Sequence, residues 1–597
     1  MPTTIEVNKQ SVEALLGSGK SKPFVIPEYQ RPYAWTDEQV ETLFEDLWDF
    51  TATSGGTERE SSYFLGSVVS YENEEGEQEI IDGQQRITSL FLLLRAIYTK
   101  LIATPASERT AEANNFIGKI EPTIWRTNKL TGTVDFKNIL LTSRVVNNEG
   151  NEILRSILET GKADEDAKDN YSKNYRHFQE LFDKHSTENP LMVYQFIYAL
   201  LNQAILLPIT ADTQDTALTI FSTLNDRGLP LSDADIFKAK IYNQLAPDDK
   251  KAFIDRWKDL DEQSTDANES IQQLFYYNMF YYRALDKDTK TTTPGVRKYY
   301  AANKFERLYK PELLDTLFVI LNLWKVVNKG EELEDEAWSK NIKIRQTLDI
   351  LTSYPNEYWK YPVVIYYVCY RNEENFETRF ARFLNKLLME LMTKYLMIPT
   401  INAVKPDILK LNSAIVASDI PAFEFKTVDM TQLEPYIQNP NRNAVRMLLK
   451  TLAYEHQDDL LPAKWEIEHI FPQKWQTNYF PDEPDATIKE KIEHIGNKLP
   501  FEKKLNIVAG NGYFGKKKKE YTASKIVITK ALGTSDVMDW NLESITKRDI
   551  RVSDEVVKIM NRWNNEYLNI PISEGKMGEP SEEELAQIEK FKKNGWI

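Results

Sequence analysis

The sequence predicts an α+β fold that is predominantly helical and divided into three domains. At 597 residues, the chain is too long to fold around one hydrophobic core. Short strand-like runs alternate with helical patterns before residue 245, whereas residues 250–430 carry long helical patterns rich in aromatic residues. Three of the five histidines and a run of lysines fall after residue 440. We therefore expect an α/β domain at 1–245, a helical connector at 246–435 and a chemically distinct domain at 436–597.

The composition indicates folded domains and limits the kinds of site. Hydrophobic residues make up 42% and aromatic residues 12% of the chain, which argues against disorder. The single cysteine, Cys369, excludes a disulfide framework and a cysteine-based zinc site, and it fits a reducing cytosol. The N-terminus has no signal-peptide pattern, and Pro208 and several amides interrupt the uncharged stretch 189–211. We expect a cytoplasmic protein that does not bind a membrane.

The charge is unevenly distributed along the chain. A net charge of −16 excludes a protein that coats polyanions with its whole surface. Between Lys503 and Lys530, however, eight lysines accompany a single acidic residue, Glu520. Such a local basic segment is typical of a domain that contacts phosphates, and it is equally typical of a solvated helix face.

The first hundred residues predict a mixed α/β unit. An extended, proline-containing segment precedes a helix, for which Thr36 and Gln39 form a capping box. Two strands, YFLGSVVSY and QEII, follow and are joined by an acidic hairpin around Gly76. A helix with an apolar stripe begins after Arg86. Further along, a strand at 204–210 leads to a helix, a turn at 225–228 and a second helix.

The junction between QEII and the next helix carries more polar groups than a turn requires. It consists of Asp82, Gly83, Gln84, Gln85 and Arg86. Gly83 permits close backbone approach, the helix N-terminus attracts anions, and Arg86 can bind a phosphate with two hydrogen bonds. The two amides can orient a water or contact a base, while Asp82 can accept from a ribose hydroxyl, hold a metal or cap the helix. The residues alone leave a nucleotide site and a plain capped turn as open alternatives.

The C-terminal domain carries the strongest chemical signal, in WEIEHIFPQKW and in EHIGNKLPFEKKLN. These segments resemble the HNH (ββα-metal) nuclease motif, which has an acid–histidine pair on its first strand, an asparagine in the connecting loop and an asparagine or histidine on its helix. The resemblance implies that His469 is the general base, that Asn497 fixes the loop, and that Glu468 and Asn506 bind Mg²⁺ or Mn²⁺. The DNA phosphate contacts that it implies are Lys516, Lys517 and Lys518.

The chemistry of phosphodiester cleavage explains these residue types. A neutral imidazole, with its usual pKa near 6.5, suits a base that deprotonates water, and carboxylate and amide oxygens suit a hard divalent cation. Two features depart from many HNH motifs: a glutamate stands at position 468 instead of an aspartate, and the long gap between His469 and Asn497 implies an insertion. The structural alternative is a buried histidine paired with a neighbouring glutamate.

Three N-terminal segments, IPEYQRPYAW, IIDGQQR and IFSTLNDRGLPLSDADIFK, occur in this order. Over residues 5–245 and 440–570, the chain resembles the GmrSD-type modification-dependent (type IV) restriction endonucleases, whose relatives include phosphorothioate-sensing Ssp nucleases. The resemblance implies a ParB-like N-terminal domain that binds and hydrolyses NTP, with Asp82 and Arg86 as catalytic residues, joined to an HNH domain. The nucleotide or sensor pocket that it implies consists of Tyr29, Gln30, Arg31, Asp82, Gly83, Gln84, Gln85, Arg86, Asn225, Arg227, Asp233 and Lys238.

These features predict an anti-phage defence endonuclease that cuts double-stranded DNA, modified phage DNA above all, under the control of a nucleotide. The expected cofactors are Mg²⁺ or Mn²⁺ and one of GTP, UTP or ATP. A non-catalytic DNA-binding regulator and an NTPase switch that acts on a partner protein are the two alternatives. The sequence leaves open the modification, the preferred NTP, the number of strands cut and whether the chain forms a homodimer.

Overall fold

The computed structural model describes residues 6–54, 61–128, 131–145, 150–214, 216–218, 220, 233–426, 428–476 and 483–570. The chain divides into two compact units, of which the first comprises Met1–Asp261 and Ala302–Tyr309 and the second Glu262–Ala301 and Lys310–Ile597. The predominantly helical α+β composition is confirmed. Most of the expected connector lies in the second unit, together with the expected C-terminal domain. The three-domain division stays a prediction.

The first unit contains a mixed sheet. Its described strands are β1 (Glu6–Val7), β2 (Gln10–Ser11), β3 (Phe24–Ile26), β4 (Tyr63–Glu72), β5 (Gln78–Asp82), β6 (Trp125–Thr127), β7 (Val134–Ile139), β8 (Leu141–Ser143) and β9 (Ala204–Ala211). Seven of them form one sheet in the order β1-β9-β4-β5-β3-β8, with β2 also paired to β9. The antiparallel pair β4–β5 is the hairpin expected around Gly76, and β9 lies parallel to β4. β6 and β7 form a separate antiparallel pair.

Helices surround this sheet. The described ones are α1 (Val12–Ser18), α2 (Asp37–Ser54), α3 (Gln84–Ala103), α4 (Ala111–Ile124), α5 (Gly150–Thr160), α6 (Asn170–Glu188), α7 (Val193–Tyr198), α8 (Asp233–Gln244) and α9 (Pro247–Asp266), within which the division between the units falls. Gln39 Oε1 accepts from the Thr36 backbone N–H at 2.8 Å, which is one of the two hydrogen bonds of the expected capping box. Most of α3 is buried, because apolar residues cover every face of it. It is the central helix of the core, and it begins at the junction that carries the candidate nucleotide residues.

The second unit is largely helical. Its described helices are α10 (Ile271–Leu285), α11 (Val296–Ala301), α12 (Leu313–Lys329), α13 (Ile342–Leu351), α14 (Lys360–Tyr370), α15 (Phe376–Met397), α16 (Lys405–Ala417), α17 (Glu434–Gln438), α18 (Val445–His456), α19 (Asp485–Ile492), α20 (Lys503–Ala509), α21 (Phe514–Thr522), α22 (Val527–Thr534) and α23 (Leu542–Leu568). Short 3-10 turns occur at Arg442–Ala444, immediately before α18, and at Ile495–Asn497. Among the described helices of the whole chain, none is both long and apolar enough to cross a membrane.

The two strands of the second unit carry the HNH-like motif. β10 (Trp465–His469) pairs with β11 (Lys498–Glu502) in antiparallel register, and His469 stands opposite Lys498. α20 follows β11 directly. A compact apolar cluster, which includes Ile470, Phe471 and Phe501, packs behind the strands. The motif therefore rests on its own small hydrophobic core.

Candidate functional site

A buried amide holds the segment that follows β10. Asn497 is fully buried, its Oδ1 accepts from the Phe471 N–H at 2.7 Å, and its Nδ2 donates to the carbonyls of Phe471 and Ile492 at 3.0 Å each. Its backbone carbonyl accepts from the Ile470 N–H at 2.9 Å. Because both polar atoms of the side chain have partners, the amide fixes the chain immediately after His469.

His469 lies at the end of β10 and faces a cleft of about 1050 Å³ in the second unit. Its side chain is 16% exposed, and its Nε2 lies 3.4 Å from Glu493 Oε1 and 3.4 Å from Gln473 Nε2. The other carboxylate oxygen of Glu493 lies 2.9 Å from Lys498 Nζ. The imidazole, the carboxylate and the ammonium thus form a linked row at the cleft wall.

The electrostatics of this row favour a neutral imidazole. Burial lowers the pKa of His469, and the positive charges of Lys498 and Lys517 act in the same direction, whereas Glu493 opposes the change. Partial burial would raise the pKa of Glu493, but its hydrogen bond to Lys498 and the nearby charges lower it overall. At neutral pH the site therefore pairs a neutral imidazole with an ionised carboxylate, the state in which a histidine can accept a proton.

Glu468 is engaged differently from its neighbour. It is buried, and its Oε1 accepts from Tyr521 Oη at 2.7 Å and pairs with Lys517 Nζ at 2.8 Å. Lys517 is 1% exposed, and it also donates to the backbone carbonyl of His469. The expectation that Lys517 contacts a DNA phosphate is therefore not met, because its ammonium is buried as the counter-ion of Glu468.

The other two lysines of the expected phosphate contact differ from each other. Lys518 Nζ donates to the carbonyls of Ser535 at 2.6 Å and Val537 at 2.8 Å, so it ties α21 to the segment after α22. Lys516 is exposed, and it makes no ion pair with any described residue. Of the three lysines, Lys516 is the one whose ammonium stands available to a phosphate.

The residues expected to bind a metal offer a small oxygen donor set. Among the described residues, no hydrogen bond reaches Glu468 Oε2, and the half-buried Asn506 on α20 makes none through its side chain. No group of three His, Cys, Asp or Glu residues that could hold a metal occurs in the described part of the chain. One carboxylate oxygen and one amide oxygen fit Mg²⁺ or Mn²⁺, which complete their shells with water and phosphate, and do not fit Zn²⁺.

Two residues of the long helix α23 support the turn before β11. Arg548 is buried, and its Nη1 donates to the carbonyls of Ile495, Gly496 and Lys498 at 2.8–3.1 Å. Burial lowers the pKa of Arg548 to about 10. Since three backbone carbonyls converge on one guanidinium, the position of this turn depends on α23.

The neighbouring Asp549 binds the same turn from its other side. Its Oδ1 accepts from the Gly496 N–H at 2.7 Å, and its Oδ2 lies 2.8 Å from His494 Nδ1 and 3.2 Å from Lys491 Nζ. Asp549 is 1% exposed. Together with Arg548, it fixes the segment that carries Glu493, Asn497 and Lys498.

The strand–junction–helix predicted in the first unit is present, with β5 ending at Asp82 and α3 beginning at Gln84. Gly83 is the N-cap residue with φ of +90°, so the helix has no side-chain cap at that position. Burial raises the pKa of Asp82, and the Gly83 N–H and the charges of Arg86 and Arg31 oppose this change. The carboxylate therefore lies near two guanidinium groups at an uncapped helix N-terminus.

Arg86 lies against β4. Its Nη1 donates to the Ser67 carbonyl at 3.0 Å, and burial lowers its pKa while Asp82 opposes the change. Gly66 has φ of +114°, and a Cβ atom at this position would lie 2.9 Å from the guanidinium. A glycine is thus required here both by the backbone conformation and by the space that Arg86 occupies.

The two glutamines of the junction have different roles. Gln85 Oε1 accepts from the N–H groups of Ala34 and Trp35, at 2.7 and 3.3 Å, and its Nε2 donates to the Pro32 carbonyl. Gln85 therefore holds the 32–35 segment and is not available to a ligand, contrary to expectation. Gln84 is 6% exposed, donates to the Arg31 carbonyl, and keeps a buried Oε1 that has no hydrogen-bond partner among the described residues.

The remaining expected pocket residues are only partly brought together. Tyr29 is buried and donates to Glu79 Oε1 at 2.5 Å, and the buried Gln30 donates to the Ile81 carbonyl at 3.0 Å, so both support the sheet and do not line an open pocket. Arg31 is exposed. Asp233 begins α8, and burial lowers the pKa of Lys238 on the same helix. Asn225 and Arg227 lie outside the described residues.

The sequence analysis did not identify Glu493, Gln473 and Lys498 as partners of His469. Gln473 lies four residues after His469, and Glu493 and Lys498 flank the IGN segment that contains Asn497. The signal that could have located them is the strand pairing, because a strand that ends at His469 and a second that begins after Asn497 place Lys498 opposite the histidine.

The role of Asp549 leads to a test of stability and activity. Substitution Asp549→Ala leaves the Gly496 N–H and the His494 and Lys491 side chains without their buried acceptor, which we expect to lower the free energy of unfolding by about 3 kcal/mol and to reduce activity of the His469 site. Denaturant unfolding measures the loss. The matched control is Asp554→Ala, since Asp554 is exposed on the same helix and should change the stability by less than about 0.5 kcal/mol. Equal effects of the two substitutions would contradict the positioning role.

Two segments of the chain match models of known families. Residues 12–242 match the family model of the GmrSD restriction endonuclease N-terminal domain, and residues 429–552 match that of the GmrSD restriction endonuclease C-terminal domain. Among curated proteins, no match to the chain was found. The first segment contains the Asp82–Arg86 junction, and the second contains the Asn497 turn, the His469 cleft wall and the residues of α23 that support it. The chain therefore belongs to the GmrSD family of type IV restriction endonucleases, for which DNA is the substrate.

Proposed function

We propose that this chain is an anti-phage defence enzyme whose second unit cuts modified double-stranded DNA at an HNH site and whose first unit binds the regulatory nucleotide. The observation that carries the proposal is the neutral His469 at the end of β10, open to a cleft and paired with Glu493. The antiparallel pair β10–β11, the Asn497 turn before β11 and α20 directly after it support an HNH-like arrangement. A pure DNA-binding regulator has no use for a base poised in this way.

In the proposed reaction, His469 accepts a proton from the attacking water. Glu493 Oε1 lies 3.4 Å from Nε2 and accepts from its N–H, so the proton of the water goes to the other ring nitrogen, Nδ1, and the carboxylate stabilises the imidazolium that forms. Lys498 holds the carboxylate through its other oxygen, so Glu493 stays ionised and oriented. Asn497 fixes the backbone on which the imidazole stands.

In this proposal, Glu468 Oε2 and Asn506 would hold the divalent cation. Glu468 Oε1 is already occupied by Lys517 and Tyr521, which orient the carboxylate and leave its second oxygen for a ligand. When bound, Mg²⁺ or Mn²⁺ would supply charge stabilisation for the leaving oxygen of the phosphodiester.

The nucleotide proposal for the first unit rests on the junction of β5 and α3. The uncapped helix N-terminus attracts a phosphate, Arg31 and Arg86 supply positive charge beside Asp82, and Gln84 Oε1 is a buried acceptor without a partner. An exocyclic amine, a ribose hydroxyl or a water would satisfy that oxygen. We propose GTP, UTP or ATP as the ligand, with Asp82 and Arg86 as the residues that act on it.

A cleavage assay tests the endonuclease proposal directly. Purified full-length chain should nick or linearise phage DNA that carries modified bases in the presence of Mg²⁺ or Mn²⁺, with each NTP tested in turn. EDTA should abolish cleavage, because a histidine base alone does not stabilise the leaving oxygen. Cleavage that persists in EDTA would contradict the metal-dependent mechanism, and binding without cleavage under every condition would favour the regulator.

The pH dependence of cleavage reports the His469–Glu493 pair. Since the pKa of His469 is lowered, the rate should fall on the acid side with an apparent pKa below the usual value of about 6.5. Substitution Glu493→Gln removes the charge that raises this pKa, so the acid limb should move to still lower pH while the maximal rate falls by roughly tenfold.

The control for this experiment is Glu466→Gln. Glu466 is another carboxylate of the same cleft, and it is not among the groups that shift the pKa of His469. Its substitution should leave the acid limb in place. An acid limb that moves to higher pH in Glu493→Gln, or that moves equally in both variants, would contradict the assignment.

Nucleotide binding tests the proposal for the first unit. Titration of the full-length chain with GTP, UTP or ATP should detect binding of at least one nucleotide. Substitution Arg86→Ala should weaken this binding by tenfold or more, about 1.4 kcal/mol per factor of ten, because a charge-assisted phosphate contact is lost. Arg155→Ala is the matched control, since Arg155 is exposed and its ion-pair partner is Glu159 on its own helix. Unchanged binding in Arg86→Ala would remove Arg86 from the proposed site.

A further inference from the structure

The wall of the cleft that lies beyond the HNH-like motif carries two arginines. The cleft that contains His469 is also lined by Arg442 and Arg446, at the 3-10 turn Arg442–Ala444 and the first turn of α18. Both side chains are exposed. They precede β10 in sequence by about twenty residues and were not part of any motif that the sequence analysis identified.

The other charges of the cleft are largely compensated within the protein. Lys498 pairs with Glu493 at 2.9 Å, and Glu466 lies 3.7 Å from Lys503. Arg442, in contrast, makes no ion pair or hydrogen bond through its side chain with any residue that the structure describes. The arginine wall is therefore the part of the cleft with positive charge left for an external anion.

Arg446 is held in a fixed orientation. Its guanidinium stacks 4.3 Å from the centre of the Trp465 ring, and Nη2 donates to the Trp465 carbonyl at 3.3 Å. Trp465 begins the strand that ends at His469. The stacked guanidinium keeps its remaining N–H groups for hydrogen bonds in its plane, the geometry with which arginine binds phosphate oxygens.

Two of the three lysines that were expected to bind DNA phosphates are engaged within the protein. Lys517 is buried with Glu468, and Lys518 is bound to two backbone carbonyls, so of the three lysines expected to contact phosphate only Lys516 is left to do so. Building on the proposed endonuclease function, we propose that Arg442 and Arg446 bind backbone phosphates of double-stranded DNA and thereby place the scissile phosphate in front of His469. Because the contacts are to phosphates, they act on every DNA sequence alike.

The test is the salt dependence of DNA binding by the full-length chain. Fluorescence anisotropy with an unmodified duplex of about 30 base pairs, in EDTA to prevent cleavage, gives the affinity between about 50 and 200 mM salt. Arg442→Ala should weaken binding several-fold and reduce the slope of log K against log salt by about 0.9, the value for one phosphate contact, whereas Arg442→Lys should keep the slope. Arg446→Gln, which retains a planar side chain over Trp465, should act in the same direction as Arg442→Ala.

The control is Arg562→Ala, since Arg562 is an exposed arginine that lines a different cleft of the same unit. It should leave the slope unchanged. A wild-type slope in both Arg442→Ala and Arg446→Gln, or an equal loss in Arg562→Ala, would overturn the proposal. If the slopes are unchanged but the wild-type chain cleaves DNA in the presence of metal, the endonuclease function stands and the role of the two arginines is rejected. If the slopes change but no cleavage occurs, the arginines bind DNA and the nuclease function is rejected.

Discussion

The hydrogen bonds of the buried Asn497 amide are the constraint on which the candidate nuclease site depends. This one side chain binds the backbone on both sides of the gap between β10 and β11, at Phe471 and at Ile492. An amide that is both a donor and an acceptor is suited to this task, since it satisfies an N–H and a carbonyl at once. Consequently His469 and Lys498 end up opposite each other, although 28 residues separate them.

The buried charges beneath the site have a related effect. A buried carboxylate is costly unless it is paired, and Glu468 has its counter-ion in Lys517 and a hydrogen bond from Tyr521. α21 supplies both partners from its inner face, so its four successive lysines cannot all face a phosphate. Consecutive residues of a helix point in directions about 100° apart, which divides such a run between the core and the surface.

Much of the fold could be predicted from periodicity, and some of it could not. The hairpin β4–β5, the helix α3 and the strand β9 were all predicted, because each has a long and regular apolar pattern. The strands β6, β7 and β8 were not predicted. They are short, and β7 is largely exposed, so no alternation of buried and exposed residues marks it.

The candidate site, like the fold, could be predicted from the sequence only in part. Local motifs identified His469, Asn497 and the Asp82–Arg86 junction, because each of these groups stands at or next to the end of the strand or helix that carries it. They did not locate Glu493, whose role follows from strand pairing, or Arg442, which faces the cleft from the 3-10 turn before α18. Burial also reversed two expectations, because Lys517 and Gln85 have polar side chains that bind protein groups instead of ligands.

The central claim is that a neutral His469 accepts the proton of the attacking water. The most direct measurement is the single-turnover cleavage rate of His469→Ala with saturating enzyme and Mg²⁺ or Mn²⁺, beside the DNA affinity of the same variant. The account predicts a rate lower by a factor of about 10² to 10⁴ with affinity for duplex DNA unchanged within about twofold. A variant that cleaves DNA at the wild-type rate would contradict it.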